Sequence, residues 1–192
     1  MSEVVCVLQK VYAVIAELWC SPRDVNMEEA KRDAHEAIPA LASLDEEGAA
    51  LLSQFLQSSI SEEEYIELFE LDPRCSLYLG SHVFDEPHTC ANAAVSDRNG
   101  YMIELLALYR HFGLTPHRKE LPDYLPLMVE FLALTAGSKD PVRERFIREY
   151  FLPFLPPMRA KLEGLKTPYL YLLEALERLL KRETSTKGVS HG

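Results

Sequence analysis

The stretch ELPDYLPLMVEFLALTAG, residues 120–137, decides how the chain is read. Its second half is a strong apolar helix, Leu127 to Ala136, closed by Gly137. Its first half sets Pro122 and Pro126 four residues apart around Asp123 and Tyr124. A proline in the first helical turn is harmless, because the N–H it lacks has no helical acceptor there. Another proline one turn away deletes a backbone hydrogen bond and leaves irregular backbone whose carbonyls need partners. Solvent, other side chains or a bound peptide can supply them. Prolines that only set the angle between two helices are the plain alternative.

The rest of the chain carries the same helical signature. Near the start, Glu3, Lys10 and Glu17 recur every seven residues as one thin polar stripe. Val4, Val7, Leu8, Val11, Ile15, Leu18 and Trp19 cover most of the remaining surface, which predicts a helix in the middle of a bundle. This opening segment has no basic lead and is interrupted by Lys10 and Glu17. Neither export nor membrane insertion is expected, and the reading places the protein in the cytoplasm.

Capping residues and prolines divide the chain beyond this first helix. Asn26 with Glu29, Asp45, and the Ser61–Glu64 capping box each mark a helix start, and Pro73 ends the third of these helices. Residues 73–98 are the least regular part, with one short helical turn at Leu77–His82. Residues 99–112 return to helical spacing before Gly113. Asp140–Pro141 and Thr167–Pro168 are cap-and-proline starts, while FLPFLPPM at 151–158 breaks one helix and lets the next begin at Pro157. Strand alternation is nearly absent. The expectation is a single all-α domain of about nine helices over residues 1–183, with a disordered tail at 184–192.

The net charge is −10 and unevenly spread: residues 1–100 hold 19 acids against 6 bases, residues 101–192 hold 11 against 14. An acidic surface repels phosphate backbones, so nucleic acid is not expected as a partner and a basic one is favoured. The four cysteines, Cys6, Cys20, Cys75 and Cys90, form no disulfide framework, which fits a reducing compartment.

Catalytic signatures are missing: there is no nucleophile elbow, no Gly-rich phosphate loop and no H-E-x-x-H. The acid runs Glu28–Glu29, Glu46–Glu47 and Glu62–Glu64 suit solvated helix N-termini better than acid–base pairs. Cys75, His82, His88 and Cys90 gather soft ligands in one segment, but their spacing lacks the paired ligands of zinc motifs. Tyr78, His82, Tyr101, Tyr109 and Tyr124 are amphipathic rings able to line a groove, with Glu120 and Asp123 beside the proline break and Glu130 beyond it.

Four blocks then occur in order: SEEEYIELFELDPRCSLYLGSHVF, DRNGYMIELLALYRHFGL, ELPDYLPLMVEFLAL and REYFLPFLPPMRAKLEGLKTPYLYLLEALERLL. Together they resemble the nitrate reductase delta-subunit (NarJ-like) chaperones, within the TorD/DmsD class of molybdoenzyme maturation factors, over about residues 60–182. The first 60 residues match only in helical character.

The resemblance implies a TorD-like helical domain that is not an enzyme and holds no permanent cofactor. Such proteins bind the N-terminal, leader-like segment of a molybdoenzyme catalytic subunit. They hold the apo-subunit until molybdopterin guanine dinucleotide and an iron–sulfur cluster are inserted. In related enzymes that segment is, or derives from, a twin-arginine export signal; a permanent structural subunit is the alternative role.

The candidate peptide contacts are Tyr78, His82, Arg98, Met102, Tyr109, Glu120, Leu121, Pro122, Asp123, Tyr124 and Phe131. Asp123 is expected to face the groove and offer charge to a basic leader, and Tyr124 to offer a flat surface. Tyr101 stands where the family often has a small residue, so a reshaped groove is expected. The protein is expected to be a monomer.

Overall fold

A computed structural model describes residues 2–84, 97–116 and 120–186. Its elements are α1 (Glu3–Trp19), α2 (Met27–Leu44), α3 (Glu46–Gln57), α4 (Glu62–Phe69), a 3-10 turn (Leu79–His82), α5 (Asp97–His111), α6 (Leu125–Leu134), α7 (Pro141–Arg145), α8 (Leu155–Leu165) and α9 (Tyr169–Thr186). The protein is all-α. The described residues contain no strand, only one isolated antiparallel bridge between Tyr78 and Tyr124.

Local sequence explains most helix starts. Ser2, Asn26 and Asp140 accept backbone N–H bonds at the heads of α1, α2 and α7, and Ser61 with Glu64 forms the full capping box of α4. Two expected caps behave differently. Asp45 stands at the N-cap of α3 without a side-chain cap bond, because both its oxygens accept from Arg178 of α9, at 2.9 and 2.8 Å. The Thr167 hydroxyl before α9 is buried without a partner, and α9 starts instead on the Thr167 and Pro168 carbonyls.

Two boundaries differ from expectation. α7 does not simply break at the prolines: it runs on through a π-helical segment, Phe146–Phe151, and a 3-10 turn, Leu152–Phe154, so that α8 starts at Leu155. Pro156 and Pro157 then occupy its first turn, where no N–H acceptor is lost. α9 extends to Thr186, three residues into the expected tail, because Thr184 is buried and its hydroxyl bonds the Leu180 and Lys181 carbonyls. Residues 187–192 lie outside the described residues.

α1 packs on α2 and α6, α3 bridges α2 and α9, and α8 lies beside α9 and the 3-10 turn. One aromatic cluster gathers Trp19, Tyr65, Phe69, Tyr169 and Phe55; a second gathers Tyr109, Phe131, Phe146, Phe112 and Phe151. Between the helices sits a buried ion pair. Arg143 of α7, 1% exposed, reaches the Glu183 carboxylate of α9 at 2.5 Å. It also donates to the Thr135 hydroxyl and the Leu132 carbonyl of α6, while Tyr12 of α1 donates to Glu183. The guanidinium, whose planar fork suits several acceptors at once, thereby ties α7 to α6 and α9, and the Glu183 carboxylate brings in α1.

Candidate functional site

The proline-flanked segment is knitted into the protein by its backbone. Leu79 N–H bonds the Asp123 carbonyl at 3.0 Å, and Leu125 N–H bonds the Leu77 carbonyl at 2.8 Å. The Tyr109 hydroxyl donates to the Pro122 carbonyl at 2.7 Å. The irregular backbone therefore finds its partners inside the protein, in the segment 77–79 and in α5. Pro126 falls in the first turn of α6, where its missing N–H is no loss.

This geometry overturns one expectation. Asp123 does not face a groove: it is fully buried, and its Oδ2 accepts the Gly80 N–H at 2.9 Å. Gly80 is required there, since a Cβ would lie 2.9 Å from that oxygen and 3.3 Å from the Tyr101 ring. Burial pushes the Asp123 carboxyl above its ordinary range, against the opposing pull of the Gly80 N–H and the Arg98 charge. A carboxyl buried in this way presents no exposed surface to a leader.

Tyr124, by contrast, is half-buried and faces an open apolar trough of about 450 Å³ between α1 and α6. From α1 come Gln9, Ala13, Ala16 and Glu17, and from its C-cap Cys20. From α6 come Pro126, Leu127, Glu130, Ala133 and Leu134, and Val25 and Glu120 complete the lining. α6 is apolar nearly all round, yet Leu134 is 59% exposed. An apolar helix face left open beside a second helix is a binding-surface signature.

The charges of its described residues have one sign. Among the described residues, Glu17, Glu120 and Glu130 are the charged ones of this lining, and none is basic. The Cys20 thiol reports their field: burial first, then Glu130, Glu17, Asp24 and Glu120, push it up to about 12. Burial, followed by Asp33 and Glu29, also lifts the Glu17 carboxyl above its ordinary value. Tyr78 holds the rim in place, donating to Glu120 at 2.9 Å while its ring packs on Tyr124, 5.3 Å between centroids.

Of the candidate peptide contacts, only Glu120 and Tyr124 line this trough. Tyr78 supports them from behind. Pro122, Tyr109 and Phe131 are core residues. His82 is half-buried in the 3-10 turn, bound through Nε2 to the Ser76 carbonyl at 2.7 Å and held below its usual pKa by burial. Arg98 and Met102 are half-buried on α5, and Leu121 is exposed beside the trough's Glu120. Tyr101 does not reshape the trough either; it is buried, stacks on Phe154 at 4.1 Å and donates to the Tyr150 carbonyl.

The sequence pattern does not reveal the α1 wall. It puts α1 in the middle of the bundle, whereas Gln9, Ala13 and Glu17 form an open stripe. The short side chain of Ala13 and the polar end of Gln9, set among larger apolar residues, were the available signal. For the cysteine–histidine grouping, Cys75 is buried, His88 and Cys90 lie outside the described residues, and no metal-binding cluster occurs among the described ones. No described helix is long and apolar enough to cross a membrane.

The described residues thus form an all-helical domain with an apolar trough rimmed by carboxylates. The profile of the nitrate reductase delta subunit family matches residues 28–160, so the chain belongs to that family. The match begins well before residue 60, taking in α2 and α3. Among named relatives, the nitrate reductase molybdenum cofactor assembly chaperone NarJ of Escherichia coli K12 is 32% identical over 155 residues, 78% of this chain and 61% of that protein. The probable chaperone NarW of the same organism is 31% identical, covering 67% of this chain and 51% of its own length. The probable NarJ of Bacillus subtilis is 33% identical, over 64% and 62%. The chain thus spans about three fifths of the length of the NarJ relatives it matches.

Proposed function

We propose that this protein is a maturation chaperone that captures the N-terminal segment of a molybdoenzyme catalytic subunit in the α1–α6 trough. It holds the apo-subunit while molybdopterin guanine dinucleotide and an iron–sulfur cluster are inserted, before assembly or export. It performs no catalysis itself and works in the cytoplasm as a monomer. The observation that carries the reading is the trough: apolar walls rimmed by Glu17, Glu120 and Glu130, with no base among its described lining residues. The names of the assembly chaperones to which the chain is similar supply the client class.

The physical logic is helix-in-groove recognition. Leucine-class side chains of an amphipathic segment leave water against Ala16, Leu127 and Leu134, each contributing about 1.5–3 kcal/mol when fully covered. Basic residues on the same segment meet the rim carboxylates, which steers approach and rejects acidic segments. Part of that gain is offset by ordering the segment, about 2–5 kcal/mol, so the complex stays reversible and the client can be released.

The test is affinity capture from cells making the client enzyme, with molybdenum measured in whatever is retained. The expected catch is a catalytic subunit lacking molybdenum, lost when Leu134→Arg or Glu130→Lys is introduced on the exposed trough wall. Retention of a molybdenum-loaded enzyme would instead make the protein a permanent subunit. Unchanged capture by both variants would remove the trough from the reaction.

A further inference from the structure

The trough does not end at Leu134. A second open cavity of about 580 Å³ adjoins it, and Leu134 lines both. On α1 this second cavity is lined by Ser2 and Val5, and the first by Gln9, Ala13, Ala16 and Cys20. These positions are spaced three or four apart, so they form one stripe on one face of one helix. From Ser2 to Cys20 that stripe is about 27 Å long. The exposed side chain of Leu134 lines both cavities, which carries the apolar surface beyond the first.

The two ends differ in charge. Among the described lining residues, Glu17, Glu120 and Glu130 cluster at the Cys20 end, whereas the cavity at the Ser2 end has Lys139 as its charged one. α1 and α6 run in opposite directions along the trough, so their own dipoles largely cancel and the side-chain charges set the field. A helix lying in it carries a partial positive charge at its N-terminus and a partial negative one at its C-terminus. Both the carboxylates and Lys139 therefore favour one direction of binding over the other.

The geometry points to a directed site: one continuous trough that takes an amphipathic helix of about 18 residues, antiparallel to α1, with its basic N-terminal end at Glu17, Glu120 and Glu130 and its C-terminal end at Lys139. This rests on the peptide-binding reading above and adds the length, direction and charge order of the occupant. A segment with the same composition but the bases at its C-terminal end brings its positive side chains and its negative pole to the same end, so one of the two meets a like charge of the trough whichever way it lies.

The protein carries its own reporter. Trp19 is the sole tryptophan, it is buried, and it adjoins Cys20 at the acidic end. The probe is a synthetic amphipathic peptide with two arginines at its N-terminus, made with a dansyl group at either end, together with its sequence-reversed counterpart. Anisotropy measures binding to the full chain, and quenching of Trp19 with sensitised dansyl emission measures direction.

The expected result is saturable binding at low salt, about tenfold weaker for the reversed peptide. Energy transfer from Trp19 should be strong to the N-terminal label and weak to the C-terminal one. Glu130→Lys, an exposed change, should erase the preference between the two peptides. Binding with equal transfer to both labels, or stronger transfer to the C-terminal label, overturns the direction and leaves the peptide-binding reading standing. Failure of either peptide to bind overturns both. A dimer, seen by sedimentation, that excludes the peptide would make a second copy the occupant and overturn the proposal.

Discussion

Replacing Asp123 separates a buried architectural carboxyl from one that serves a ligand. The Gly80 N–H has the Asp123 Oδ2 as its acceptor at 2.9 Å, in a place closed to water. Asp123→Ala leaves that donor unpaired, which costs about 1–3 kcal/mol. With a urea dependence of about 1–3 kcal/mol per molar, the unfolding midpoint should fall by about 1 M. Asp123→Asn keeps an oxygen for Gly80 and should lose less. The pH dependence has a definite sign. Burial raises the native carboxyl above its ordinary value of 3.8. A carboxyl raised on folding contributes stability that is complete below the ordinary value and is lost as pH rises through the native value. Wild type should therefore lose stability relative to Asp123→Asn as pH climbs above about 3.8. Urea titrations monitored by Trp19 fluorescence between acid and neutral pH measure this directly. Neither variant should change affinity for a basic peptide. An Ala midpoint equal to wild type, a pH trend of opposite sign, or lost peptide affinity in the folded Asn protein would refute the argument.

Other perturbations test other contacts. Arg143→Ala strands the Glu183 carboxylate in a nearly dry site and should cost about 3–5 kcal/mol, read by thermal or urea unfolding. Gly137→Ala forces a side chain into positive φ (78°) and to within 2.6 Å of a Val5 methyl, so a loss of about 1–3 kcal/mol is expected, against a small gain for Gly164→Ala, which lies within α8 where a Cβ meets nothing. Tyr109→Phe leaves the buried Pro122 carbonyl without its donor and should cost about 1–3 kcal/mol in urea unfolding without altering peptide charge preference. Glu130→Lys should weaken a basic peptide about tenfold at low salt, and titrations at rising ionic strength should close the gap to wild type.

The α-helical class, the helix starts at Ser61, Asn26 and Asp140, and the acidic character of the surface were legible from local sequence, because capping and periodicity are short-range properties. So was the family, through blocks such as 120–126 that keep their order along the chain. The partner of each irregular backbone group was not. The P-D-Y-L-P segment announces unpaired carbonyls, but only the fold places Leu77, Leu79 and Tyr109 against them, from stretches more than ten residues away. Asp123 and Glu120 are both acids beside a proline; tertiary packing buries one under Gly80 and leaves the other on the rim. α1 shows the same limit. Its apolar circumference sets its central place, yet which side stays open depends on how α6 docks, and α6 leaves Ala13 and Glu17 uncovered. Sequence sets the period and the chemistry of each face; long-range packing decides which face meets water, and here that face lines the candidate site.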